Sequence, residues 1–358
     1  MRNGWFLLAL LTVLVVAGVG RAELHDERPI TRIGFGSCLR ETEPAPILDA
    51  VVAAKPEVFL WLGDNVYADV RDGKRYVPQG ADDMAKHYDA LAAVPGFVRL
   101  REAVPMLATW DDHDYGVNDG GAEWHLKEEA KQLMLDFFGD PPEAPRRGRE
   151  GVYQAYTYGP PGKRVQVILL DTRWFRSPLK QQRILGVRHY VPDEDPTKTM
   201  LGEAQWAWLE AQLKAPADVR LIASSIQVLS EEHRFEKWAN FPHERRRLVE
   251  LIGSTGAAGV VLLSGDRHRS EISRLNDPAL EASAGYPLYD VTSSSLNLGL
   301  APTLEPNRHR IGNQYAPENF GMLLIDFDAG LLTIQLRDGA NEVVEATNVP
   351  LPALQPGA

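Results

Sequence analysis

The sequence predicts an α/β protein, on three observations. Short, nearly continuous apolar runs recur along the chain, as in Val58 to Leu62 and Gly259 to Leu263; such runs are strands covered on both faces. These runs stop at polar loops rich in carboxylates, as at Asp64, Asp111 and Asp266. Helical stripes follow several of the loops, and the repeat of strand, polar loop and helix builds an open α/β sheet.

The elements follow in order. Ile30 to Phe35 reads as a strand running into Gly36-Ser37-Cys38, and Pro46 to Ala54 as a helix with apolar Ile47, Leu48, Val51 and Val52 on one side. Val58 to Leu62 is a buried strand ending at Gly63-Asp64. Ala81 to Leu100 is helical with a break at Pro95-Gly96. Val104 to Trp110 is a strand ending at Asp111, and Glu123 to Phe138 a helix. Beyond the Pro/Arg/Gly-rich loop 141–150, Val152 to Tyr158 and Arg164 to Leu170 are strands, the second ending at Asp171-Thr172-Arg173. Lys180 to Lys198 lacks a period and reads as a packed lid or excursion. Glu203 to Leu213 is an amphipathic helix using Trp206, Leu209 and Leu213. Strands Val219 to Ala223 and Gly259 to Leu263 flank a basic helix around His243 to Leu251, and the tail from Phe320 alternates as antiparallel strands.

The chain of 358 residues has room for one large or two ordinary domains. Arg2, the apolar run Trp5 to Val19 and Gly20-Arg21-Ala22 predict a signal peptide, residues 1–22, cut after Ala22; an uncleaved anchor is the alternative. Residues 23–358 then form one domain. Losing Arg2 and Arg21 moves the formal charge of −11 by two units, to about −13. No basic stripe exists, which disfavours nucleic-acid binding, and the acidity argues against simple electrostatic docking on anionic lipid. The single cysteine, Cys38, is a free thiol, an intermolecular bridge or a metal ligand.

Chemistry concentrates at five strand ends: Cys38, Asp64, Asp111-Asp112-His113, Asp171-Arg173 and Asp266-His268, expected along one rim of one sheet. Packing carboxylates, an imidazole and an amide together repays nothing unless a cation or dense hydrogen bonding compensates them. Hard or borderline ions suit these donors. Asp64 is the natural bridge, with Tyr67 and Cys38 reaching the same ion, a set that suits ferric iron. Asp112 and Asn118 are candidates for a second ion, closed over by Asp266 and His268. Two ions about 4 Å apart clamp a phosphoryl group and activate water. His113 is the candidate to protonate the leaving oxygen, and Arg173 to offer a planar fork to phosphate. Singly, each residue has a plainer reading: Gly63-Asp64 a turn, Asp266 with His268 a structural pair, Arg173 with Asp171 a salt bridge, Cys38 a small buried hydrophobe.

Taken together these segments resemble the alkaline phosphatase D (PhoD-like) family of metallophosphoesterases. The resemblance rests on Gly36-Ser37-Cys38, Gly63-Asp64-Asn65-Val66-Tyr67, Trp110-Asp111-Asp112-His113-Asp114, Leu170-Asp171-Thr172-Arg173, Leu201 to Trp206, Ser264-Gly265-Asp266-Arg267-His268, Thr292-Ser293-Ser294 and Asn319-Phe320-Gly321, in order from about Ile30 to Leu336. It implies a four-layer α/β/β/α metallophosphoesterase (calcineurin-like) sandwich. It also implies an exported phosphoesterase, periplasmic or secreted, using Fe3+ and Ca2+, in a short form without the N-terminal β domain of larger members. By the same resemblance Cys38, Asp64 and Tyr67 sit on iron with Asp266 or His268 nearby, and Asp64, Asp112 and Asn118 face calcium. The sequence departs from the family at Arg2, which stands without a second arginine, at Ser225 and Gln227 where a metal-binding histidine is usual, and at Leu298 where a polar group is expected.

The expected activity is hydrolysis of phosphate mono- or diesters, of alkaline phosphatase or phosphodiesterase type. One alternative is a phospholipase-like diesterase acting on lipid or cell-wall phosphodiesters, with Trp174, Phe175 and the 180–198 excursion forming an apolar mouth. Another is a noncatalytic metal-bound binding module. The expected partner is a phosphate-ester substrate, with no nucleic acid, no stable membrane insertion after signal removal, and a monomeric chain.

Overall fold

The computed structural model describes residues 24–72, 75–300 and 305–357; the signal peptide expected over residues 1–22 lies outside them. Two mixed sheets stack face to face. The six-stranded sheet runs, in spatial order, Val343–Pro350, Leu331–Asp338, Asn319–Asp326, Arg32–Gly36, Val58–Leu62 and Met106–Thr109. The eight-stranded sheet runs Leu24–Asp26, Gln154–Tyr158, Val165–Leu169, Val219–Ala223, Val260–Ser264, Tyr289–Ser293, Ser270–Arg274 and Arg310–Tyr315. The C-terminal strands run antiparallel, and Asn319–Asp326 pairs with Arg32–Gly36 near the other end of the chain.

The alternation of strand side chains makes four layers. In Val58–Leu62, all buried, Val58, Leu60 and Leu62 join the core between the sheets, with Val167, Leu221 and Leu263. Phe59 and Trp61 point the other way, into a second core with Ile47, Leu48 and Val51 of helix Ile47–Ala54, Phe97 and Leu100 of Pro95–Ala103, and Met134 of Lys127–Phe137. Helices Gly202–Lys214 and Pro242–Ser254 cover the outer face of the eight-stranded sheet with Trp206, Leu209, Leu213, Leu248 and Ile252. The result is the α/β/β/α sandwich.

Three expectations change. The five strand ends lie on two facing sheets, not one: Cys38, Asp64 and Asp111 follow strands of the six-stranded sheet, while Asp171 and Asp266 follow strands of the eight-stranded one. Apolar periodicity identifies a doubly covered strand but not the sheet it joins. The stretch 180–198 is not a packed lid; it contains an antiparallel hairpin, Gln181–Ile184 with Val187–Tyr190, whose first strand is wholly exposed. Trp174 is not at an apolar mouth but buried, stacked parallel to Trp110 at 6.3 Å between ring centroids. Among the described residues no helix is long and apolar enough to cross a membrane.

Candidate metal centre

The parallel strands of both sheets aim their carboxyl ends at one acidic centre. Three groups of ligand atoms, each mutually within 4.8 Å, overlap there: Cys38, Asp64 and His268; Asp64, Asp112 and His113; and Asp64, Asp111, Asp112 and Asp266. Asp64 belongs to all three. Tyr67 completes the first, its hydroxyl donating to Asp64 Oδ2 at 3.2 Å and lying 3.4 Å from His268 Nε2. Cys38 Sγ lies 3.4 Å from Asp64 Oδ2 and 3.1 Å from Ser294 Oγ.

The backbone is bent to present these groups. Cys38, Asp64, Asp119, Asp266 and His268 all have positive φ, between 50° and 64°. Each such residue costs on the order of 1 kcal/mol, a strain characteristic of functional sites. Gly63 precedes Asp64 at φ 99°, and a Cβ there would stand 2.5 Å from Asp111 Cβ and 2.6 Å from its amide nitrogen. Glycine lets two acidic strand ends meet.

Supporting contacts set the orientation of each ligand. His268 Nδ1 bonds the carbonyl of Leu298 at 2.8 Å, leaving Nε2 toward Tyr67. Leu298 thus contributes through its backbone where a polar side chain was expected. The Asp119 amide donates to Asp112 Oδ2 at 2.6 Å. Asp114 is structural: it accepts from the Asn65 amide side chain and the Asp111 backbone, tying the two acidic loops together. Ser225 stands where a histidine was expected and donates to Asp111 Oδ1 at 2.7 Å, whereas Gln227 is turned to Glu271 and Thr292.

Burial and mutual repulsion dominate the electrostatics. Burial, reinforced by Asp64, pushes the Cys38 thiol well up. Burial raises Asp64 strongly against the pull of His113, with Asp112 and Asp111 adding to the rise. Asp266 is pushed up to about 7 by burial and His268 down to about 4 for the same reason. Asp112 differs: His113, Arg173 and the Asp119 amide outweigh its burial and hold it at about 2. Burial would lower His113, but Asp112, Asp64 and Asp69 overcome it and hold the imidazole well above its ordinary range. A cation reverses these penalties, since thiolate, carboxylate and neutral imidazole are its ligand forms. Asp111 Oδ2 and Asp112 Oδ1 are buried without a hydrogen-bond partner, so the donor set fits bound metal.

Of the residues expected from sequence, Cys38, Asp64, Tyr67, Asp112, His113, Asp266 and His268 come together. Asn118 lies beside them; its side-chain amide donates to Asp119 at 2.6 Å and its backbone to Asp69 at 2.9 Å. Arg173 presents no fork to a ligand. It is wholly buried, with Nε donating to Asp111 Oδ1 at 2.6 Å and Nη1 to Glu236 at 2.6 Å, because two carboxylates on neighbouring loops claim its charge. Its partners are not Asp171, which instead accepts backbone N–H groups of Arg173 and Trp174. Sequence reasoning did not assign Asp111 as a ligand, nor find Asp69, which holds His113, or Glu236. Asp69 opens the short strand Asp69–Asp72 and Glu236 sits in a loop, and no motif marks either.

The fold and this centre define a metal-site α/β/β/α sandwich. A family model described as PhoD-like phosphatase matches residues 37–340, and the chain belongs to that family. Alkaline phosphatase D of Bacillus subtilis is 26% identical over 196 residues, a match covering 49% of this chain and only 33% of that protein. The solved structure titled "Structure of PhoD" superposes with a TM-score of 0.69 at 18% identity, over 93% of this chain and 70% of that one. A purple acid phosphatase from yellow lupin seeds superposes with a TM-score of 0.59 at 12% identity, over 90% and 54%. At these identities the two structures speak to the fold alone.

Proposed function

We propose that this protein is an exported hydrolase that cleaves phosphate mono- or diesters at a two-cation centre. The observation that carries the reading is the place of Asp64 in all three overlapping ligand groups, as a carboxylate bridging two ions requires. Cys38, Tyr67, His268 and Asp64 would hold Fe3+, a soft and hard donor set. Asp64, with Asp111, Asp112, Asp266 and Asn118, would hold Ca2+ through oxygen. When bound, these ions neutralise phosphoryl oxygens and activate water.

The side chains divide the remaining work. His113 is held by Asp69 through Nδ1, so Nε2 is free to deliver a proton to the leaving oxygen. Tyr67 and Tyr76 pack on the His113 ring, with centroids 4.2 and 4.6 Å away, and limit its rotation. Arg173 is a positioning residue that steers Asp111 through their ion pair.

Metal analysis of the purified protein, with hydrolysis of p-nitrophenyl phosphate and bis-p-nitrophenyl phosphate, tests the reading. Iron and calcium are expected, with a visible charge-transfer band that Cys38→Ser or Tyr67→Phe removes or shifts. Zinc alone with Cys38 freely alkylated overturns the iron assignment. Full hydrolysis by an Asp112→Ala, His113→Ala double variant overturns the mechanism.

A further inference from the structure

Large exposed apolar side chains are few among the described residues: Val70, Val77, Ile184, Leu185, Val187, Leu300 and Val343. All but Val343 lie on three segments rooted beside the metal centre. Val70 and Val77 belong to the hairpin Asp69–Asp72 with Arg75–Pro78, where Asp69 holds His113 and the Tyr76 ring lies 4.6 Å from the His113 ring. Ile184, Leu185 and Val187 belong to the hairpin Gln181–Ile184 with Val187–Tyr190, tied at its base by Tyr190 and Arg188 to Asp119. Leu300 donates its backbone N–H to the carbonyl of His268. Scattered exposed apolar residues are ordinary, but their gathering around one site marks an interaction surface.

The second hairpin carries the chemistry of its partner. Leu185 is 99% exposed and sits at its tip at φ 50°, next to Gly186 at φ 80°, the pair of positive-φ residues that a two-residue hairpin turn uses. Arg183 Nη1 bonds the Gly186 carbonyl and braces the tip. Lys180 and Arg183 flank the apolar residues, Arg188 is already paired with Asp119 at 3.0 Å, and no carboxylate occurs in the sequence between Asp171 and Asp193. This is a basic, apolar finger on a chain of net charge −11. Charges more than about 8 Å away are screened at physiological salt, so the local cations dominate at contact. A four-residue-stranded finger is too narrow for a stable protein interface of about 800 Å² per side. Apolar tips framed by arginine and lysine suit the headgroup and acyl boundary of an anionic bilayer.

We propose that the 181–190 hairpin, aided by the apolar rim around the metal centre, docks the protein on an anionic lipid surface. The docking itself does not depend on hydrolysis at the centre; delivery of interfacial phosphate esters to it rests on the proposed function. The overall acidity that argues against simple electrostatic docking is bypassed by one locally basic element.

The test uses the full chain with an environment-sensitive NBD label on Leu185→Cys; native Cys38 is buried, which restricts labelling to the tip. Vesicles of equimolar phosphatidylglycerol and phosphatidylcholine should raise the emission at least twofold with a blue shift, and phosphatidylcholine vesicles should not. The same label on Val343→Cys, outside the rim, should not respond. Adding Lys180→Glu and Arg183→Glu should raise the lipid concentration for half-response at least tenfold. The proposal is overturned if position 185 stays silent, if position 343 responds alike, if both vesicle types act equally, or if the signal follows protein concentration without lipid, which points to a second copy instead. None of these readings requires turnover, so a silent enzyme and a silent finger are separate results.

Discussion

Asp69 and His113 are joined through Oδ1 and Nδ1 in a buried pair, while the second oxygen of Asp69 accepts the Asn118 backbone N–H at 2.9 Å. One carboxylate thus orients both the proposed proton donor and the loop bearing a proposed metal ligand. Loss of such a supporting contact typically costs about 10–100-fold. Asp69→Asn should lower kcat by that factor with little change in KM, and Asp69→Glu should recover part of it. Steady-state kinetics on an aryl phosphate decide; a change confined to KM would assign Asp69 to substrate binding instead.

Metal removal should destabilise the fold. Stripped of cations, buried Asp64, Asp111 and Asp112 and half-buried Asp266 are a cluster of acids whose charged forms lose solvation and repel. Chelation should lower the melting temperature, and adding iron and calcium back should restore it. Asp64→Asn should be insensitive to chelator, because the shared ligand is gone. An unchanged melting temperature in the wild type would argue against a resident metal.

Gly63→Ala should cost about 1–3 kcal/mol, from positive φ and the clash with Asp111. Because the alanine separates Asp64 from Asp111, metal content should fall along with stability. Denaturant titration and metal analysis on the same sample check both; lost stability with full metal content would confine Gly63 to the fold.

Arg173→Met should destabilise by about 3–5 kcal/mol, since Asp111 and Glu236 then remain buried without their shared cation. Arg176 also pairs with Glu236 and retains part of the compensation. A further Glu236→Gln change in the Arg173→Met background should therefore recover stability. Chemical denaturation of both variants measures the difference.

Away from the centre, Glu231 sets a pH dependence. Burial works to raise its pKa, but His309, Arg245 and Arg308 outweigh this and hold it at about 2, below the ordinary 4.5. Between those values the unfolded chain binds more protons than the native one, so stability rises with pH. The contribution is complete above pH 4.5 and is lost as pH falls toward 2. Glu231→Gln should flatten the stability profile in that window and leave its slope above pH 5 unchanged.

The sequence by itself determined the class of fold and most of the centre. Val58–Leu62 and Val260–Ser264 could be read as doubly covered strands, because a wholly apolar run is stable only with both faces buried. Cys38, Asp64, Asp112 and Asp266 could be read because apolar strands ran directly into groups that no core would choose. What tertiary structure alone decided was which distant loops meet. It split the strand ends between two facing sheets, gave Arg173 to Asp111 and Glu236, set Asp69 behind His113, and turned the 180–198 excursion into an exposed finger. Local pattern reports whether a segment is buried. The partner of a charged side chain depends on contacts across the fold, such as that of Arg173 with Asp111 at a sequence separation of 62, and no local period encodes them.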